Sequence, residues 1–284
     1  MSKTRLKDRV FFMPAISFYQ VDAFSNQAFK GNPAAVCVLD SWLDDGLLQQ
    51  IAAENNLSET AFIVPIATGY EIRWFTPTTE VELCGHATLA AAYVIFNCLA
   101  YPSMVVHFKT RYRGDLRVLR EDDGLTLDFP SCPATSCPTP PILKQALGIE
   151  PQEVLFADDY LVVLANEDQV KQVHINKPLL MQLEGRGVII SARGEQADIV
   201  SRFFAPKYGI DEDPVTGSAH CTLTPYWCAR LGKNTLVAQQ LSARTGSIRC
   251  TLSPDNRVLL HGQAVLIIEG KLYYEQPLPL PNAS

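Results

Sequence analysis

The chain lacks most of the short signatures that tie a sequence to a chemistry. None of its eight cysteines, at positions 37, 84, 98, 132, 137, 221, 228 and 250, forms a CxxC pair. A structural zinc site is therefore not expected, and eight thiols in 284 residues are too sparse for a disulfide scaffold. Reduced thiols and a cytoplasmic location are the expectation. No GxGxxG, Walker A, HExxH or GxSxG motif is present. Ser218 and His220 lie only two apart, so on a helix they point away from each other, against a serine hydrolase. Positive charge is also short, with 24 Lys and Arg against 30 Asp and Glu and a net charge of −6. Phosphate binding needs a basic footprint, so nucleic acid is not an expected partner. Long apolar runs are missing too. The uncharged stretch from Cys84 to His107 is broken by His86, Asn97 and Pro102, and reads as a buried helix followed by a strand, with no membrane span. Near the start, Lys3, Arg5, Lys7 and Arg9 precede Val10 to Met13, but Pro14 cuts this faintly signal-like segment short and no small-x-small site follows.

What is present is a core-forming composition, 47% apolar and 19% charged, in a length that suits two domains of ~140 residues. The sharpest break is the proline-rich stretch from Pro130 to Pro141, which neither a helix nor a sheet interior can traverse. We read it as a linker between an α/β domain over 1–130 and a second over 131–284, with the last strand able to return to the first domain. An internal repeat supports that division. Arg73-Trp-Phe-Thr-Pro77 matches Arg202-Phe-Phe-Ala-Pro206; Gly85-His-Ala follows the first and Gly217-Ser-Ala the second, each leading into a nearly uncharged run. Strands are expected over 18–24, 34–39, 60–64 and 70–75, and an amphipathic helix over 44–54. Helices over 86–99 and 218–231 are apolar all round and must be wrapped by other elements, the second kinked at Pro225. The expected class is α/β, with two pseudo-symmetric units, each a sheet curled around a central helix.

Each central helix begins at a glycine, Gly85 or Gly217. A helix N-terminus carries unpaired N–H groups and about half a positive charge, and glycine lets a ligand approach that backbone. If a pseudo-two-fold axis relates the halves, both ends face one cleft, suited to a small carboxylate and to negative charge developing beside it. With these features in view, the segments Asn32-Pro-Ala-Ala-Val36, Leu57-Ser-Glu-Thr-Ala-Phe62, Arg73-Trp-Phe-Thr-Pro77, Cys84-Gly-His-Ala-Thr88 and Asp213-Pro-Val-Thr-Gly-Ser-Ala219 resemble the PhzF-like family of phenazine-biosynthesis isomerases, with the diaminopimelate-epimerase fold. The resemblance covers about residues 18 to 270. It implies two similar domains, an interdomain cleft, no cofactor, no metal and commonly a homodimer. It also implies that Glu59 moves a proton between carbons of the substrate and that His86, Asp213 and Ser218 belong to the same site.

Each of these residues also has a plain structural reading. Glu59 precedes an apolar strand and could be an exposed turn residue; as a proton carrier near neutral pH it needs burial to raise its pKa. His86 could be a core histidine, though at a helix start the dipole favours a neutral ring able to donate one hydrogen bond. Asp213 could be a cap, Asp211 and Glu212 read as a solvated turn, and Ser218 could be an ordinary first-turn residue. The place of Cys84 is similar to that of one thiol in the two-thiol racemases of this fold, but the repeat puts Thr216 opposite it, and threonine is no base at pH 7. We therefore read Cys84 as a buried free thiol. Arg73 and Arg202 alternate along strands, read as facing solvent, and are left out of the site. The expected function is a cofactor-free isomerase working by acid–base proton transfer on a small carboxylate, with Glu59 as carrier and His86, Asp213, Ser218, Gly85 and Gly217 binding substrate. The alternatives are an amino-acid or hydroxy-acid racemase or epimerase, and a non-catalytic binding protein of the same fold.

Overall fold

The computed structural model describes residues 14–274, so the basic N-terminal segment and its signal-like reading lie outside the described residues. The first half contains β1 (Ala15–Ala23), β2 (Asn32–Val38), α1 (Asp45–Asn55), β3 (Glu59–Ile66), β4 (Gly69–Phe75), β5 (Glu80–Val81), α2 (Gly85–Asn97), β6 (Val105–Thr110), β7 (Asp115–Glu121) and β8 (Gly124–Pro130). The second runs through β9 (Thr135–Ser136), α3 (Pro141–Leu147), β10 (Glu153–Phe156), β11 (Tyr160–Val163), α4 (Glu167–Gln172), α5 (Lys177–Leu180), β12 (Val188–Arg193) and β13 (Ile199–Ala205). It continues with β14 (Ile210–Asp213), α6 (Gly217–Leu231), β15 (Thr235–Gln240), β16 (Gly246–Leu252), β17 (Arg257–Gly262) and β18 (Ala264–Tyr273).

Strand pairing shows the duplication directly. β1 runs antiparallel to β2, β2 parallel to β3, β3 antiparallel to β4, β4 parallel to β6, and β6 to β8 form a meander. β10 to β13 and β15 to β17 repeat the same sequence of directions. The segment leaving each meander crosses over: β9 pairs with β10, and β18 pairs with β1. The halves differ from two separate sheets in one respect, because β8 pairs with β17 and makes a single 18-stranded sheet. Joining the two meanders removes two open edges that would otherwise expose unpaired backbone groups.

Sequence dictates why α2 and α6 sit inside the curls. Ala87, Leu89, Ala90, Ala91, Ala92, Val94 and Ile95 are all fully buried. Alanine both favours helix and lets strands close tightly around it. The largest apolar cluster spans both central helices, while α1 covers the outer face of the first half and α3 to α5 that of the second. Residues 217–231 stay one helix despite Pro225. Proline cannot donate to the carbonyl of Cys221, and the N–H of Cys132, from the proline-rich stretch, takes its place at 3.0 Å.

The repeated arginines are not solvent-facing, as alternation had suggested. Arg73 is buried and grips Glu80 through two hydrogen bonds of 2.7 and 2.8 Å, while Arg202 is half-buried and grips Glu212 at 2.7 and 3.0 Å. Each guanidinium also stacks on the phenylalanine two residues on, 5.0 Å from the Phe75 centroid and 4.9 Å from that of Phe204. These clamps close the β4–β5 and β13–β14 hairpins that lead into α2 and α6. Glu212 is thus a structural partner rather than a free acidic turn residue, whereas Asp211 is exposed and pairs with Lys177.

Replacing Leu89 with Ala leaves a cavity in the densest part of the core and should cost about 2–5 kcal/mol in chemical denaturation. The same change at Val237, which is 46% exposed, should cost under about 1 kcal/mol. Equal losses at the two positions would contradict the placement of α2.

Candidate active site

The two central helices meet at their N-termini. A Cβ added to Gly85 would lie 3.7 Å from the Cα of Gly217, and the converse distance is the same. Neither glycine has a left-handed φ, and an added Cβ would make only ordinary contacts. Glycine is therefore demanded by neither backbone conformation nor packing, and what it supplies is bare backbone. The residues before them, Cys84 and Thr216, are extended and give no side-chain cap, so each helix presents its first-turn N–H groups to the junction.

A buried polar chain crosses the junction from one half to the other. Asn32, fully buried at the start of β2, brings its side-chain NH2 within 2.8 Å of Asp213 Oδ1, 2.9 Å of the Val215 carbonyl and 3.1 Å of His86 Nδ1. Asp213 also accepts from Thr216 Oγ1 at 2.5 Å. Gln240 completes the C-terminal side, accepting from the Thr216 N–H at 2.9 Å and donating to the Asp213 carbonyl at 2.8 Å. On the other side His86 Nε2 faces Glu59 Oε2 at 3.3 Å, too poorly aligned for a hydrogen bond. The Asn32 amide nitrogen, which can only donate, faces His86 Nδ1, and the Cys84 sulfur lies 3.5 Å away. That fixes the neutral ring with its proton on Nε2, aimed at Glu59.

Three buried polar atoms at this place have no hydrogen-bond partner: Glu59 Oε2, His86 Nε2 and Asn32 Oδ1. Unsatisfied buried groups are rare and costly, and three of them gather at this place. Their electrostatics suit proton transfer. Burial, reinforced by the charge of Asp213 and opposed by a hydrogen bond from Cys84, raises the Glu59 carboxyl to about 8. Burial lowers His86 to about 3, so the ring is neutral at physiological pH. Asp213 rises to about 6, again through burial, held back by its hydrogen bonds from Thr216 and Asn32 and by the charge of Arg186.

The structure thus brings Glu59, Gly85, His86, Asp213 and Gly217 to one junction. Ser218 is exposed on the first turn of α6 and accepts from Arg186 at 2.9 Å. Asn32, Gln240 and Arg186 were missed by the sequence reading. Asn32 had a signal, since it sits in the Gly31-Asn-Pro33 turn, but the turn explained it locally. Gln240 and Arg186 lie in segments with no distinguishing pattern. Cys84 is a buried free thiol, yet it borders the site rather than the remote core.

Two clusters have donors of the kinds metals take. Glu59, Cys84 and His86 place a carboxylate oxygen, a sulfur and a ring nitrogen within 4.8 Å of one another. Ligation there needs a thiolate, and burial together with the neighbouring Glu59 pushes the Cys84 thiol well above its ordinary pKa. The second, Glu121, Asp123 and His261, has both carboxylates already paired to Arg249.

This duplicated α/β fold, with a buried acid where two helix N-termini meet, is shared with proteins named as isomerases. The chain belongs to the phenazine biosynthesis-like (PhzF) family, whose profile matches residues 21–270. An uncharacterised isomerase of Pseudomonas aeruginosa is 52% identical over 258 residues, covering 90% of this chain and 98% of that one. The crystal structure of a PhzF-family protein from Enterococcus faecalis superposes with a TM-score of 0.89 at 44% identity, covering 92% of this chain and all of the other. A hydroxyproline epimerase of Agrobacterium vitis shares the fold, with a TM-score of 0.61 at 10% identity over 93% of this chain and 94% of that one.

The raised Glu59 pKa links the site to stability. Between its ordinary value near 4.5 and about 8, the folded protein retains a proton that the unfolded chain releases, so stability falls as pH rises through this window. Glu59→Gln keeps the shape and removes the ionisation. The variant should be more stable than the parent, by a margin that grows from pH 5 to pH 8 in urea titrations. A margin independent of pH would show that Glu59 titrates normally.

Proposed function

We propose that this protein is a cofactor-independent isomerase that moves a proton between carbons of a small carboxylate-bearing molecule, with Glu59 as the proton carrier. The observation that carries the reading is the set of three unpartnered buried atoms, Glu59 Oε2, His86 Nε2 and Asn32 Oδ1, beside two uncapped helix ends. The substrate carboxylate is held by the N–H groups around Gly85 and Gly217. His86 donates from Nε2, Ser218 offers its hydroxyl from the facing helix, and Asp213 fixes Asn32 and so the His86 tautomer. Glu59 rests protonated at pH 7; it delivers that proton to one carbon and takes another back, returning to its starting state.

Register favours a one-carboxyl proton shift over a two-base racemisation. Thr60 pairs with Phe75 and Val188 with Phe204, and these phenylalanines are equivalent in the repeated motif. The counterpart of Glu59 is therefore Gly187, where a Cβ would come within 2.7 Å of both the Phe203 ring and the Phe204 carbonyl. That position excludes a side chain. Cys84 likewise faces Thr216 across the repeat, so neither two-fold-related pair supplies two bases.

A proton shift run by a resting acid has a kcat/KM that falls above pH about 8, and a profile that rises there instead would show that the carboxylate acts first as a base. In deuterated water, candidate carboxylates should take up label at carbon with the parent protein and about 10²–10⁴ times more slowly with Glu59→Gln. Undiminished exchange in the variant would remove Glu59 from its role, and exchange with neither protein would favour a binding protein.

The same reading includes a cytoplasmic homodimer built from units divided near residue 130. Among the described residues no helix is long and apolar enough to cross a membrane. Among the described residues β18 pairs only with β1, and its run Val265–Ile268 is partly exposed, with Ile268 at 47%. An apolar edge strand of this length is a ready surface for a second copy. Light scattering should give twice the chain mass for the parent and a smaller species for Ile268→Glu; a monomeric parent would end this part of the reading.

A further inference from the structure

Arg186 sits where the pseudo-symmetry places the residue before the Glu59 counterpart, since Gly187 corresponds to Glu59. In the first half, Glu59 reaches His86 on the first turn of α2 at 3.3 Å. In the second, Arg186 reaches Ser218, the equivalent of His86, on the first turn of α6 at 2.9 Å. The two crossings are alike in geometry and opposite in character: an acid against an imidazole on one side, a guanidinium against a hydroxyl on the other. The guanidinium is held by a buried carboxylate. Asp159, 2% exposed, takes Nε at 3.0 Å and Nη2 at 2.5 Å, and Nη2 also serves Ser218. Its plane stacks 5.3 Å from the Phe203 centroid. Among the described residues Nη1 has no partner, and the side chain as a whole is 39% exposed, although its other two nitrogens are occupied.

We propose that Arg186 is a specificity-determining residue whose Nη1 receives a second anionic group of the substrate, so that the preferred ligands carry two acidic groups rather than one. This rests on the reading that a first carboxylate binds at the two helix ends. Fixing a guanidinium by its Nε and Nη2 leaves its remaining N–H groups preorganised, and an arginine so held recognises a carboxylate or phosphate with little further loss of freedom. The merely structural alternative is that the Asp159–Arg186–Ser218 chain pins α6 to the loop before β12. That role needs Nε and Nη2 and gives Nη1 no task.

The test compares butyrate, succinate, glutarate and 3-phosphonopropionate by proton NMR titration of the full chain. Butyrate and succinate differ only in a methyl against a carboxylate, and the phosphonate replaces that carboxylate with a phosphate-like group. The parent should bind at least one of the doubly acidic probes about tenfold or more tighter than butyrate. Because Arg186→Met alone strands a buried Asp159, the variant is Asp159→Asn with Arg186→Met, with folding checked by circular dichroism. In it the preference should fall to near one, an outcome that a purely structural Arg186 would not give. Parity between butyrate and every doubly acidic probe in the parent overturns the proposal, as does a preference that survives in the folded double variant. If the double variant does not fold, Arg186→Gln, which retains a donor for Asp159, is scored by the same ratio. Failure of all four probes to bind the parent rejects the carboxylate-binding cleft itself, and the inference with it. A phosphonate preferred over succinate identifies the second group as phosphate-like, and the reverse as a carboxylate.

Discussion

Two helices point their positive ends at each other, and the rest of the molecule is organised around holding them there. Like partial charges at Gly85 and Gly217 repel, and neither end is relieved by a capping side chain. The opposing force is burial: α2 and α6 share the largest apolar cluster, and the sheet curls around both. The Arg73–Glu80 and Arg202–Glu212 clamps fix the hairpins that feed these helices, so the repeated arginine motif is structural, although it lies close in sequence to the site. Strand exchange, with β9 on β10 and β18 on β1, ties the halves so that the junction cannot open by simple separation.

On this symmetric scaffold the chemistry is asymmetric. Equivalent positions carry Glu59 and Gly187, His86 and Ser218, Cys84 and Thr216. One side thus holds a buried acid and a neutral imidazole, while the other holds a hydroxyl, a fixed guanidinium and a hydrogen-bonded Asp213. Asn32 reconciles them, because a single amide spans from His86 in the first half to Asp213 in the second. Its replacement by an apolar residue would strand acceptors on both sides. The low dielectric that lifts Glu59 to about 8 also keeps His86 neutral, so one physical cause sets the protonation of both groups.

The sequence alone determined the duplication, the two central helices and the glycines that open them. Each is written in local pattern: uncharged alanine-rich runs favour burial, and two motifs recurring in the same order mark a repeated unit. Glu59, His86, Asp213 and Ser218 were named through the resemblance of the motifs around them to a family, and the meeting of the two helix ends was read from the repeat. Tertiary structure alone decided that Arg73 is buried, that β8 and β17 fuse the sheets, and that Cys132 satisfies the carbonyl freed by Pro225. It also decided that Asn32, Gln240 and Arg186 bond to residues around the two helix ends. These residues act through partners 24 to 183 positions away, such as Gln240 with Thr216, Arg186 with Ser218 and Asn32 with Val215. Periodicity reports which face of an element is buried, but it carries no record of which distant donor meets which acceptor. That information exists only once the chain has closed upon itself.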